Sequence, residues 1–241
     1  MALENVIQIV SNEIALTLDD NKPSIYIYGS FALNDFKLGW SDIDIFVFTE
    51  KEISEEKAKV LVELRQQLDN KYSKSSYFNL FEGGITQLDA FIENRESCSI
   101  YWGTTGQKVI NLYTLDSFGI AEIIDNGILV YGKDIRNRLN YPTYTEFKND
   151  IILHTKSARE YGGTVGWLLD ISRGIYTLRT GKIISKTRAG EWALENMLCP
   201  NIDALKKAVE IRKNPLLFSE TDKMIDNDII QEYADVLMED I

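Results

Sequence analysis

The chain has 241 residues, 44% of them apolar and 26% charged, with a formal charge of −11 at pH 7. That length and apolar content suit one large folded domain or two modest ones and argue against disorder. The acidic balance speaks against wrapping a nucleic-acid backbone, which takes clustered Lys and Arg, and favours a cationic small molecule as partner. No apolar run approaches the roughly 18 residues of a membrane span, and MALENVIQIVSNE carries acids where a signal peptide carries bases, so a cytoplasmic location without a membrane partner is expected. Cys98 and Cys199 are isolated and His154 is the single histidine. Neither a disulfide framework nor a Cys/His zinc site can be built from such a set, and both cysteines read as packing residues.

In chain order, Leu3, Val6, Val10, Ile14 and Leu18 recur at helical spacing, and Asn21, Lys22 and Pro23 end that pattern before the strand-like run SIYIYGS. SDIDIFVFT reads as a second strand. Ser54, with Glu55 and Glu56 behind it, starts a helix whose Leu61, Leu64, Leu68 and Tyr72 share a face. YFNLF and TQLDAFIEN read as two further strands about a Gly83-Gly84 turn. LDSFGIAEIIDNG is a short helix, followed by the extended ILVYG. From about residue 140 the texture is helical only. Thr143 and Glu146 form a capping-box pattern, Gly181 ends a second helix, TRAGEWALENML makes a third, Asn201 caps a fourth, and Ser219 with Asp222 is the expected cap of a fifth. The predicted architecture is α+β: a mixed sheet domain over 1–140 and a helical bundle over 141–241.

Chemistry concentrates in YGSFALNDFKLGWSDIDIFVF. Asp42 and Asp44 alternate with Ile43 and Ile45, so on a pleated strand both carboxylates leave one face, roughly 6.6 Å apart, and together need a cation. Mg²⁺ is the natural candidate. Gly29 and Ser30 sit at a strand-to-helix corner, where a bare backbone and a hydroxyl suit a phosphate. If two metal ions are to hold both the attacking and the leaving oxygen, a third carboxylate is needed, and Asp89 in TQLDAFIEN is the candidate, with Glu93 further along. The bland alternatives are an accidental turn with an exposed edge strand for the GS and SDID pair, and a solvated strand residue for Asp89. His154 and the aromatic residues Trp167, Tyr176 and Trp192 read as packing residues. GTTGQK at 103–108 lacks the phosphate-loop spacing.

These residues resemble the nucleotidyltransferases with a polymerase-β-like fold: GS, a spacer, SDID on the next strand, then a carboxylate on another. GWLLDISRGIYTLRTGKIISKTRAGEWAL is similar to the helical domain of the aminoglycoside adenylyltransferases that modify streptomycin or spectinomycin. The resemblance implies AMP transfer from ATP, as co-substrate, to a hydroxyl of a cationic aminoglycoside or aminocyclitol, with two Mg²⁺ ions. It makes Asp42 and Asp44 the metal ligands and Asp89 the third, where the family typically has a glutamate acting as general base. Gly29, Ser30 and Ser41 become phosphate contacts. Arg173 and Lys186 align with basic residues that contact the ATP phosphates, although Arg173 could instead simply pair with Asp170. Streptomycin-accepting members carry an acid ten positions before the arginine matched by Arg173. Gly163 stands there, so a spectinomycin-like acceptor is expected, with Glu160, Asp170, Tyr101 and Trp102 as further contacts. The chain is expected to be a monomer or weak dimer with no nucleic-acid partner. The rival readings are transfer to another metabolite or to a protein side chain, a non-catalytic nucleotide-binding module, and a polymerase or tRNA-modifying enzyme, the last disfavoured by the acidic charge.

Overall fold

The computed structural model describes residues 1–103 and 106–241; Thr104 and Thr105, inside GTTGQK, lie outside the described residues. The chain divides into two compact units, one made of residues 1–32, 42–115 and 122–141, the other of 33–41, 116–121 and 142–241. The first is a mixed sheet unit and the second is helical.

In the sheet unit the order is β5-β4-β3-β2-β1-β6. The strands are β1 (Pro23–Ile27), β2 (Ile43–Thr49), β3 (Phe81–Gln87), β4 (Ser99–Gly103), β5 (Gly106–Ile110) and β6 (Ile128–Tyr131). β2 and β3 are parallel and every other pair is antiparallel. Helices α1 (Leu3–Thr17) and α3 (Glu55–Lys71) pack on each other, α1 against β6 and α3 against β4 and β5. Ser54 caps α3 by accepting from the Lys57 amide, and Trp102 on β4 donates its indole N–H to the Leu61 carbonyl of α3 at 2.9 Å. A second, aromatic core holds Tyr26, Tyr28, Phe46, Phe48, Leu88 and Ile123. Phe46 meets Phe91 and Tyr113 edge-on, with ring centres 5.6 and 5.1 Å apart. Each such buried side chain contributes about 1.5–3 kcal/mol of transfer free energy.

The segment 77–94 differs from its sequence prediction. Gly83 and Gly84 are not a turn: β3 runs straight through them, parallel to β2. Bare backbone here makes room for a neighbour, since a side chain on Gly84 would meet the Tyr113 ring 2.4 Å away. TQLDAFIEN is not a strand either, because β3 stops at Gln87 and α4 (Leu88–Ile92) follows.

The helical unit carries α6 (Tyr144–Tyr161), α7 (Gly166–Thr180), α8 (Lys186–Glu195), α9 (Ile202–Lys213) and α10 (Asn227–Glu239) around a core that includes Ile151, Leu168, Leu169, Ile175, Val209 and Tyr233. The Thr143–Glu146 capping box forms as expected, Gly181 ends α7 in the left-handed conformation, and Asn201 caps α9. The cap of α10 is Asp226, whereas Ser219 and Asp222 bond each other in the preceding turn. Ser219-x-x-Asp222 has the capping-box spacing, but an exposed turn uses it instead. No helix among the described residues is long and apolar enough to cross a membrane.

Candidate active site

β1 ends at Ile27, and the chain turns through Gly29 into the single turn α2 (Gly29–Ala32). Gly29 has φ +62°, and a Cβ there would fall 2.0 Å from Asp44 Oδ2. The corner therefore needs glycine twice over: for its left-handed backbone, and because the Asp44 carboxylate rests against it. The Tyr28 amide donates to the Asp44 carbonyl at 3.0 Å, joining this corner to the start of β2. The Ser30 hydroxyl is buried and makes no hydrogen bond among the described residues. A buried hydroxyl without a partner is costly unless a ligand completes it.

Register supplies the third carboxylate. In the parallel β2–β3 pair Asp44 lies directly opposite Glu82, and residues opposite each other in neighbouring strands share a sheet face. Asp42 lies just before β2 begins at Ile43. Burial pushes the Glu82 carboxyl up, and the charge of Asp42 adds to the shift. The nearby cation Arg65, on α3, donates to the carbonyls of Phe81 at 2.6 Å and Gly103 at 3.4 Å. Among the described residues no three His, Cys, Asp or Glu side chains form a ready-made metal cage.

The structure does not bring Asp89 to this corner. Asp89 lies in the first turn of α4, 49% exposed, and pairs with Arg138 at 2.7 Å. Gln87 is opposite Thr49, five residues along β2 from Asp44, so Asp89 follows the far end of the strand, roughly 16 Å or more from Asp44 at strand rise. The acid that does lie opposite Asp44 is Glu82. Glu82 is hidden in the sequence because the Gly-Gly that follows it has the composition of a turn. The available signal was an acid at the entry of a strand next to SDID.

In the helical unit, the Ser41 hydroxyl is already committed. It accepts from the Lys37 amide at 3.0 Å and from Arg212 Nη1 at 2.8 Å. Arg212 is 2% exposed and also donates to the Asp35 carbonyl and carboxylate, which Thr187 bonds in turn. Ser41 therefore serves a buried ion-pair network that fixes loop 33–41, a use different from the predicted phosphate contact. Arg173 and Lys186 do come together, on either side of Asp170. Gly163 has φ +82°, a backbone that strains any L side chain, so the acid expected of streptomycin-accepting relatives has no relaxed place here. A cavity of about 320 Å³ lies within this unit, lined among others by Asp116, Phe118, Asp150, His154, Asp170 and Arg173. Its wall mixes acids and bases, with Asp170 already paired to Arg173 and Lys186.

A glycine-serine corner beside two aspartates at the start of the next strand is the nucleotidyltransferase arrangement, and residues 11–82 match the family model for the nucleotidyltransferase domain. The protein is an enzyme of that class. Residues 147–239 match the model for the aminoglycoside adenylyltransferase C-terminal domain, and with both models on one chain it belongs to the aminoglycoside adenylyltransferase family. The fold is shared with a crystal structure of the spectinomycin adenyltransferase AAD(9) from Enterococcus faecialis with ATP and spectinomycin, at 17% identity and a TM-score of 0.73, over 96% of this chain and 98% of that one. None of the curated protein sequences matches this chain.

Proposed function

We propose that this protein transfers AMP from ATP to a hydroxyl of a spectinomycin-like aminocyclitol, in the cytoplasm, with Mg²⁺ held by Asp42 and Asp44. The observation that carries the reading is the corner in which Asp44 rests on Gly29 and faces Glu82 across the β2–β3 register. Bound there, Mg²⁺ would neutralise phosphate charge and polarise the α-phosphoryl group. Gly29 and Ser30 receive the nucleotide phosphates on bare backbone and an unpartnered hydroxyl. Glu82, whose proton affinity is raised by burial and by Asp42, takes the proton from the acceptor hydroxyl. The hydroxyl oxygen then bonds to the α-phosphorus as the bond to the bridging oxygen breaks, and pyrophosphate leaves. Arg173 and Lys186 balance the charge that gathers on pyrophosphate. Spectinomycin is favoured over streptomycin by Gly163 and its positive φ. The match to AAD(9), crystallised with ATP and spectinomycin, supports the same choice.

The test is mass spectrometry of spectinomycin and streptomycin, separately, after incubation with the protein, ATP and Mg²⁺, beside an Asp42→Asn control. The expected result is one adenylyl group added to spectinomycin, none to streptomycin, and none with the control. A streptomycin adduct would overturn the role given to Gly163. Adducts on neither drug, with ATP binding intact, would move the acceptor to another hydroxylated metabolite or a protein side chain.

A further inference from the structure

The mechanism above gives no role to the carboxylates of the helical unit, and one of them is unusually placed. Asp170, on α7, has a side chain only 10% exposed, yet it sits among three basic groups from three helices. Lys186 Nζ, at the first residue of α8, is 2.8 Å from Oδ1 and donates to Oδ2 at 3.1 Å. Arg173 Nη2, one turn further along α7, is 3.7 Å from Oδ1, and His154 Nε2, on α6, is 3.6 Å from Oδ2. Oδ1 itself accepts no well-formed hydrogen bond. Burial alone would raise the Asp170 carboxyl, but the charges of Lys186, Arg173 and His154 outweigh it and hold the group well below the usual carboxylate range. It is an anion at neutral pH.

Arg173 and Lys186 carry like charges on long, flexible stems, and without an anion between them they would separate. Asp170 contacts both, and so fixes their positions before any ligand arrives. Fixed cations lose less on binding a polyanion than mobile ones do.

We propose that Asp170 is a positioning residue that holds Arg173 and Lys186 in the arrangement in which they meet the phosphates of ATP. This rests on the assignment of those two cations to the nucleotide. It differs from a mere counter-charge, which would weaken phosphate binding by competing for the same cations.

The experiment is calorimetric binding of ATP, inorganic pyrophosphate and adenosine, each with Mg²⁺, to the wild-type chain and to Asp170→Asn, Asp170→Glu, Arg173→Ala, Lys186→Met and the double variant Asp170→Asn/Lys186→Met. Asp170→Asn is expected to weaken ATP and pyrophosphate about tenfold or more and adenosine less than twofold, with Asp170→Glu in between. The double variant should bind ATP within twofold of Lys186→Met, because both changes remove the same arrangement. Unchanged or tighter ATP binding by Asp170→Asn, while Arg173→Ala and Lys186→Met weaken it, would overturn the positioning role alone. Unchanged binding by Arg173→Ala and Lys186→Met would instead overturn the underlying assignment of the cations. Should Asp170→Asn fail to fold, Asp170→Glu decides: weakening of at least threefold at an unchanged melting temperature supports the proposal, and wild-type affinity overturns it.

Discussion

The two units solve opposite electrostatic problems. At the sheet corner, Asp44 lies opposite Glu82, Asp42 is near enough for its charge to raise the Glu82 carboxyl, and the nearby Arg65 donates to two backbone carbonyls. Around Asp170 in the helical unit, one carboxylate serves Lys186, Arg173 and His154. The function proposed above gives the acidic corner a divalent cation as its complement, and the basic pair Arg173 and Lys186 a polyphosphate.

The strongest way to break that contrast is to remove a carboxylate from the corner. Asp42→Asn should cost at least about 10³-fold in adenylyl transfer while the melting curve shows an intact fold; turnover near wild type would sink the metal assignment. Glu82→Gln should cost about 10² to 10⁴-fold in kcat. The sign of its pH dependence follows from its raised carboxyl. The base is needed ionised, so wild-type kcat should fall as pH drops through that raised value, and the variant should lose this acid limb. The same shift makes ionised Glu82 a burden on the fold. Its contribution to stability is present below the ordinary glutamate range and is lost as pH rises through the raised value, so Glu82→Gln should melt higher than wild type at neutral pH.

Gly29→Ala sharpens the contrast from the backbone side. Its Cβ would displace the Asp44 carboxylate, and the left-handed φ adds about 1–2 kcal/mol of strain. We expect about tenfold or greater loss of turnover together with a lower melting temperature. The smallest effect belongs to Asp89→Ala. Its pair with Arg138 is half exposed on both sides, so stability should change by less than about 1 kcal/mol and turnover by less than twofold. A loss as large as that of Glu82→Gln would return the third carboxylate to Asp89.

Much of this was legible in local pattern. SDID marked the start of β2, Gly29-Ser30 marked the corner, and the capping box at Thr143 and the left-handed Gly181 framed two helices. Those features depend on residues a few positions apart, and neighbours in sequence suffice to fix them. Tertiary structure decided the rest. It chose Glu82 over Asp89, turned Gly83-Gly84 from a hairpin into the middle of a parallel strand, gave the Ser41 hydroxyl to Arg212, and gathered Asp170, His154 and Lys186 from three helices. A parallel pairing joins strands separated by a whole helix, and its register is set by which side chains the sheet buries across that distance. No spacing within TQLDAFIEN or LFEGG carries that information, so the third carboxylate appears only once β3 lies beside β2.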